Sequence, residues 1–103
     1  MIIAQVSLYP IGHANIEKVL KTFWNELENQ KISYKITPLS TVIWSSEYNK
    51  TKNDDVNISQ EDEVVFMSIF KAYKKARQQS KAVMVLTTTA EEKKDLEKLL
   101  KYI

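Results

Sequence analysis

An α+β domain in the order β-α-β-β-α-β-α is what this sequence predicts, and three stretches predict it. Ile2 to Tyr9 alternates with a period of two. Ile16 to Asn29 carries apolar residues at helical spacing, and Ser33 to Trp44 holds two short strand-forming runs about Pro38. Two strand-helix-strand units with right-handed crossovers give a four-stranded antiparallel sheet with both main helices on one face. The first and third strands are then central, and the second and fourth are edges.

The bounds are narrow. The 103 residues make a single domain with one core. With no cysteine there is no disulfide framework, no thiol chemistry and no cysteine-based zinc site. One histidine, His13, cannot build a histidine-rich metal site, and no cofactor is expected. A net charge of +2 with a single arginine, Arg77, is a weak footprint for nucleic acid. The run Ile2 to Leu8 is broken by Gln5 and Ser7 and lacks a basic flank, so it is not a signal peptide. No stretch approaches the ~20 apolar residues of a membrane span. The expectation is a cytoplasmic protein with no membrane partner.

Along the first strand Ile2, Ala4, Val6 and Leu8 point one way, and Ile3, Gln5, Ser7 and Tyr9 the other. Pro10 and Gly12 end it, and Asn15 is placed to cap the first helix. In that helix Ile16, Val19, Leu20, Phe23 and Leu27 form one apolar stripe, with Trp24 at its edge. The hairpin follows, with strands at Tyr34 to Thr37 and Thr41 to Trp44 and a corner at Pro38-Leu39-Ser40. Beyond Trp44 the composition turns polar, and 45–59 reads as a mobile excursion from the core. A second helix from about Gln60 to Gln79 carries the stripe Phe66, Ile69, Phe70 and Tyr73, with Val65, Ala72 and Ala76 beside it. Ala82 to Leu86 is a strand continuing into Thr87-Thr88-Thr89, and its phase is open because Ala82, Met84 and Leu86 look as buriable as Val83 and Val85. A short charged helix to Lys101 closes the chain, with Thr89 as N-cap, Glu92 completing a capping box, and Leu96, Leu99 and Leu100 able to dock.

The helix-free face of the sheet is expected to present Gln5, Ser7 and Tyr9 with Thr41, Ile43 and Ser45. Near it, Thr37, Ser40 and Thr41 cluster three hydroxyls at the hairpin corner, and each hydroxyl both donates and accepts. Such a cluster can read a polar heterocycle, or it can only cap its own turn. Tyr9 and Trp44 offer rings for stacking, or for packing and a subunit interface. The candidate ligand-binding set is Ser7, Tyr9, Thr37, Ser40, Thr41 and Trp44.

The opening IIAQVSLYPIG, the hairpin YKITPLSTVIW and the closing KAVMVLTTT resemble the YkoF-like thiamine-binding family of small ferredoxin-like proteins. Tyr34, Thr37, Pro38 and Thr41 match its Y-x-x-T-P-x-x-T pattern, and Pro10 and Gly12 its P-x-G. The chain departs from the family in Ser40, where glycine is usual, and in Val85-Leu86, where paired threonines are expected. The excursion before the second helix is also longer than usual. The resemblance implies a ferredoxin-like βαββαβ sandwich that binds thiamine or its hydroxymethylpyrimidine moiety, and a dimer or tetramer assembled through the sheet.

Four function classes follow. A non-enzymatic small-molecule binding module fits the hydroxyl cluster and the open sheet face. An acylphosphatase-like enzyme needs a phosphate-cradling loop with arginine, which Pro10 to Asn15 does not offer. An RNA-binding sheet needs stacking aromatics on central strands and a basic face. The rival to ligand binding is a structural protein that only assembles through its open sheet. Deleting Lys50 to Val56 is expected to leave stability within ~1 kcal/mol, because loop length acts weakly through closure entropy. Urea unfolding checks this, and a loss of cooperativity would make the segment structural.

Overall fold

Strand β1 (Ile2–Pro10) is the central element, with a neighbour on each side. It is followed by helix α1 (Ile16–Asn29), the hairpin β2 (Ser33–Ile36) and β3 (Thr41–Trp44), helix α2 (Ser59–Arg77), strand β4 (Ala82–Ala90) and helix α3 (Lys93–Leu100). The structure is a computed structural model describing residues 1–12, 15–45, 59–90 and 92–102. His13 and most of the polar excursion, 46–58, lie outside the described residues. The sheet order is β2-β3-β1-β4, all neighbours antiparallel, so β1 and β3 are central as expected. This is the ferredoxin-like α+β arrangement. No helix among the described residues is long and apolar enough to cross a membrane.

The core forms where the inward face of β1 meets both main helices. Ala4, Val6 and Ile43 from the sheet pack with Val19, Phe23 and Leu27 from α1 and Val65, Ile69, Ala72 and Ala76 from α2. Each large side chain so buried contributes ~1.5–3 kcal/mol before entropy is set against it. Asn15 caps α1 as the sequence suggests, its side chain accepting from the Lys18 N–H at 3.1 Å. Ile16, expected in the stripe, stands 57% exposed because it precedes the point where α1 reaches the sheet.

Helix α2 is rotated from its expected face. Val65, Ser68, Ile69, Ala72 and Ala76 point inward, while Phe70 is 49% exposed and Phe66 and Tyr73 lie at the margin. Two alanines on the inward stripe let α2 come close to its neighbours, whereas a row of Phe66, Phe70 and Tyr73 would hold it away. Polar bonds fix the choice: Gln30 donates to the Ser68 carbonyl at 3.3 Å and the Tyr73 hydroxyl to the Ala82 carbonyl at 2.6 Å. The Arg77 guanidinium sits 5.8 Å from the Tyr73 ring centre.

The register settles the open phase of β4 and reverses the one expected for β3. Val6 lies opposite Thr41 and Leu86, and Ala4 opposite Ile43 and Thr88. Directly opposed residues share a face. Thr41, Ile43 and Ser45 therefore point toward the helices, at 4%, 0% and 7% exposure, and not to the open face expected for them. The open face instead presents Ile3, Gln5, Ser7 and Tyr9 with Val42 and Trp44, and Val83, Val85, Thr87 and Thr89. In α3 the capping box does not form. Thr89 is held in β4 opposite Ile3, and Glu92 is the N-cap without a side-chain bond. Leu96 is fully buried, but Leu99 is 59% exposed.

The end of α1 aims the hairpin. The Ile32 N–H bonds the Leu27 carbonyl and the Lys31 N–H the Glu28 carbonyl, a Schellman closure with Lys31 at φ +59°. Buried Ile32 folds back on the helix end, so β2 starts beneath α1. A lysine in the left-handed region carries a steric cost that glycine avoids. Lys31→Gly is expected to raise stability by ~0.5–1 kcal/mol, seen as a higher urea midpoint at unchanged slope.

Candidate functional site

The hairpin corner closes on its own hydroxyls. The Thr37 N–H bonds the Ser40 carbonyl at 2.8 Å, and the Thr37 hydroxyl donates to the same carbonyl at 2.9 Å. That hydroxyl also accepts from the Ser40 N–H at 3.1 Å and lies 3.2 Å from the Ser40 hydroxyl. Pro38 presets the turn, and the threonine takes the bond that a backbone carbonyl usually supplies. The Ser7 hydroxyl reaches across from β1 to the Leu39 carbonyl at 3.1 Å, which brings Ser7, Thr37 and Ser40 together at one corner.

Thr41 sits apart, under α1. Its hydroxyl oxygen accepts from the Trp24 indole N–H at 2.9 Å. A buried indole N–H requires an acceptor, and Thr41 is the residue the register places there. One turn further along α1, Glu28 accepts from the Tyr34 hydroxyl at 2.9 Å. Residues four apart share a helix face, so Trp24 and Glu28 both look toward the β2 edge. On the sheet, Tyr34 lies opposite Ile43 and Ile36 opposite Thr41, all on the helix side. Ile36 is nonetheless 48% exposed. Trp24 and Glu28 of α1 and Tyr34, Ile36 and Thr41 of the hairpin thus form one cluster at the junction of helix and sheet edge, with Glu28 and Ile36 exposed and Thr41 buried.

The two remaining residues of the sequence set lie elsewhere. Tyr9 and Trp44 share the open face, but Trp44 is opposite Ile3, six residues along β1 from Tyr9. At the rise of an extended strand they are about 20 Å apart, so they do not sandwich one ring. Trp24, Glu28 and Ile36 were not singled out from the sequence as site residues, and Tyr34 only as part of a motif. The available signal was Trp24 and Glu28 at a spacing of four beside the apolar stripe, facing a strand in which Tyr34 and Ile36 alternate.

The two hydrogen bonds of this cluster leave capacity over. The Thr41 hydroxyl proton is not used in accepting from Trp24, and Glu28 binds Tyr34 through one carboxylate oxygen. Burial, followed by the hydrogen bond and negative charge of Glu28, raises the Tyr34 phenol above its ordinary value. Among the described residues no cluster of three His, Cys, Asp or Glu could hold a metal ion. A shallow depression on α1 is lined by Asn15, Glu17, Lys18, Lys21, Thr22 and Asn25, none of them in this cluster.

No protein-family model matches the chain, and no curated protein matches it. Solved structures do. Protein SP2199 from Streptococcus pneumoniae is similar at a TM-score of 0.68 and 16% identity, covering 97% of each chain. The hypothetical protein MJ1052 from Methanocaldococcus jannascii is similar at 0.69 and 17%, covering 98% of this chain and 93% of its own. A "putative thiamine biosynthesis/salvage protein" (TM0486) from Thermotoga maritima is similar at 0.68 and 14%, covering 99% and 98%. At these identities the likeness is one of fold.

Two outcomes follow from the geometry. Thr41→Val strands the Trp24 N–H and is expected to cost about 1–3 kcal/mol in urea unfolding. Tyr34 is expected to ionise above the ordinary tyrosine value near 10, and Glu28→Gln to lower its midpoint, read by absorbance. A raised folded pKa means the fold favours the neutral phenol. That stabilisation is whole below the unfolded value and is lost as pH rises through the folded one.

Proposed function

We propose that this protein binds thiamine or its hydroxymethylpyrimidine moiety and does not chemically change it. The observation that carries the reading is the cluster where α1 meets the hairpin, in which the Trp24 indole bonds the Thr41 hydroxyl and the Tyr34 phenol bonds the Glu28 carboxylate. An aminopyrimidine has a flat face to pack on such rings and an edge that both donates and accepts. The resemblance of Tyr34, Thr37, Pro38 and Thr41 to a thiamine-binding pattern supports the ligand class. So does a fold shared with a protein described as a putative thiamine biosynthesis/salvage protein. The cluster's groups are donors, acceptors and ring faces suited to holding a heterocycle.

A specific observation favours a second reading, self-association through the open sheet face. Tyr9, Val83 and Val85 are adjacent there at 56%, 48% and 49% exposure. Apolar patches of this kind are uncommon on monomers.

Calorimetry with thiamine, its phosphates and hydroxymethylpyrimidine tests the first reading. Saturable heat with at least one is expected, and silence from all at millimolar concentration would overturn it. Light scattering at micromolar concentration tests the second, with a dimer or tetramer expected and a stable monomer decisive against it.

A further inference from the structure

We infer that the outward face of α2 is a contact between two copies of this chain, which meet there as an antiparallel pair of helices. This contact is separate from the open sheet face. A helix on one side of a sheet ordinarily turns charged and polar residues away from its core. Helix α2 does not. Val65, Ile69, Ala72 and Ala76 are buried in the core, yet Val64, Met67 and Phe70 are 50%, 54% and 49% exposed. At about 100° per residue, Glu63, Met67, Phe70 and Lys74 fall within about 60° of one another, on the side away from those buried residues. Their spacing of four, three and four is that of a coiled-coil seam. Val64 and Lys71 flank it.

The charges choose the occupant and its direction. The seam is apolar at its centre, acidic at its start in Glu63 and basic at its end in Lys74, and all four residues are exposed. Neither Glu63 nor Lys74 takes part in an ion pair among the described residues. A parallel copy would set carboxylate against carboxylate and ammonium against ammonium. An antiparallel copy, related by a two-fold axis level with the bond between Ser68 and Ile69, matches every position. Met67 then meets the partner's Phe70, and Glu63 meets the partner's Lys74, each twice by symmetry. A thioether sulfur is attracted to an aromatic ring edge. Val64 comes beside the partner's Lys71, whose aliphatic stem covers it. Any partner for this seam needs the reverse of its pattern, and α2 is its own reverse.

Sedimentation equilibrium at micromolar to millimolar concentration tests this, with circular dichroism confirming that each variant keeps its helix content. Wild type is expected to self-associate. Glu63→Lys and Lys74→Glu are each expected to weaken association roughly tenfold, because each sets like charges together at both ends of the pair. The double variant restores opposite charges with their signs exchanged. It is expected to return to within about threefold of wild type, a rescue that a merely structural role of either residue would not give. Both single reversals are expected to act equally in a Val85→Glu background, where the open sheet face carries a charge. A wild type that stays monomeric, single reversals that change nothing, or a double variant no better than either single overturns the α2 contact. Association lost with Val85→Glu and untouched by the reversals overturns it in favour of the sheet face alone.

Discussion

The pairing of Thr41 with Val6 is the constraint on which the rest of the site depends. It places a hydroxyl on the buried side of the sheet, where an uncompensated polar group would cost a few kcal/mol. The Trp24 indole removes that cost, and in doing so docks the middle of α1 against the start of β3. A slip of one residue would turn Thr41 and Ile43 to solvent and bring Val42 and Trp44 inward. The indole would then lose its acceptor, and the space filled by Ile43 would receive a tryptophan. Register, helix docking and core packing thus select the same alignment.

Once α1 is docked by Trp24, its helical spacing decides what else faces the hairpin. Glu28 falls four residues on and meets Tyr34, while Gln30 looks to the other side and bonds α2 at Ser68. The Schellman closure at Lys31 turns the chain so that β2 leaves from under the helix end. Because β2 has only four residues and lies at the edge, α1 covers its base and leaves Ile36 open. The cluster follows from a helix whose Trp24 and Glu28 stand four residues apart beside a hairpin in which Tyr34 and Ile36 share the same face.

Strand order, helix count and the central place of β1 were legible in the sequence, because period-two alternation and a stripe such as Val19, Phe23 and Leu27 each point to one structure. Phase was legible only where the two sides of an element differ chemically. In β1, Ala4 and Val6 contrast with Gln5 and Ser7, and the faces are read correctly. In β3, Thr-Val-Ile-Trp alternates nothing that hydropathy can rank, and its face depends on a tryptophan seventeen residues away. In α2, bulk misleads: Phe66 and Phe70 look like core, but the helix packs through Ala72 and Ala76. The site inherited these ambiguities. Thr37, Ser40 and Ser7 gather at the corner as their spacing suggests, but they largely satisfy one another. Trp24 and Glu28 could be placed only once the register was known.

The two faces of the sheet keep the two proposed roles apart. Tyr9, Val83 and Val85 lie on the side away from the helices, and Trp24, Glu28, Tyr34 and Thr41 on the side toward them. A second copy seated on the open face would bury the first group without touching the second. Ligand binding and self-association are therefore not rival uses of one surface. What joins them is the hairpin corner, where Ser7 on the open face holds the Leu39 carbonyl and Thr37 closes the turn that leads to Thr41. Ser7 and Thr41 are thus linked through the turn Pro38-Leu39-Ser40, which the Thr37 hydroxyl closes.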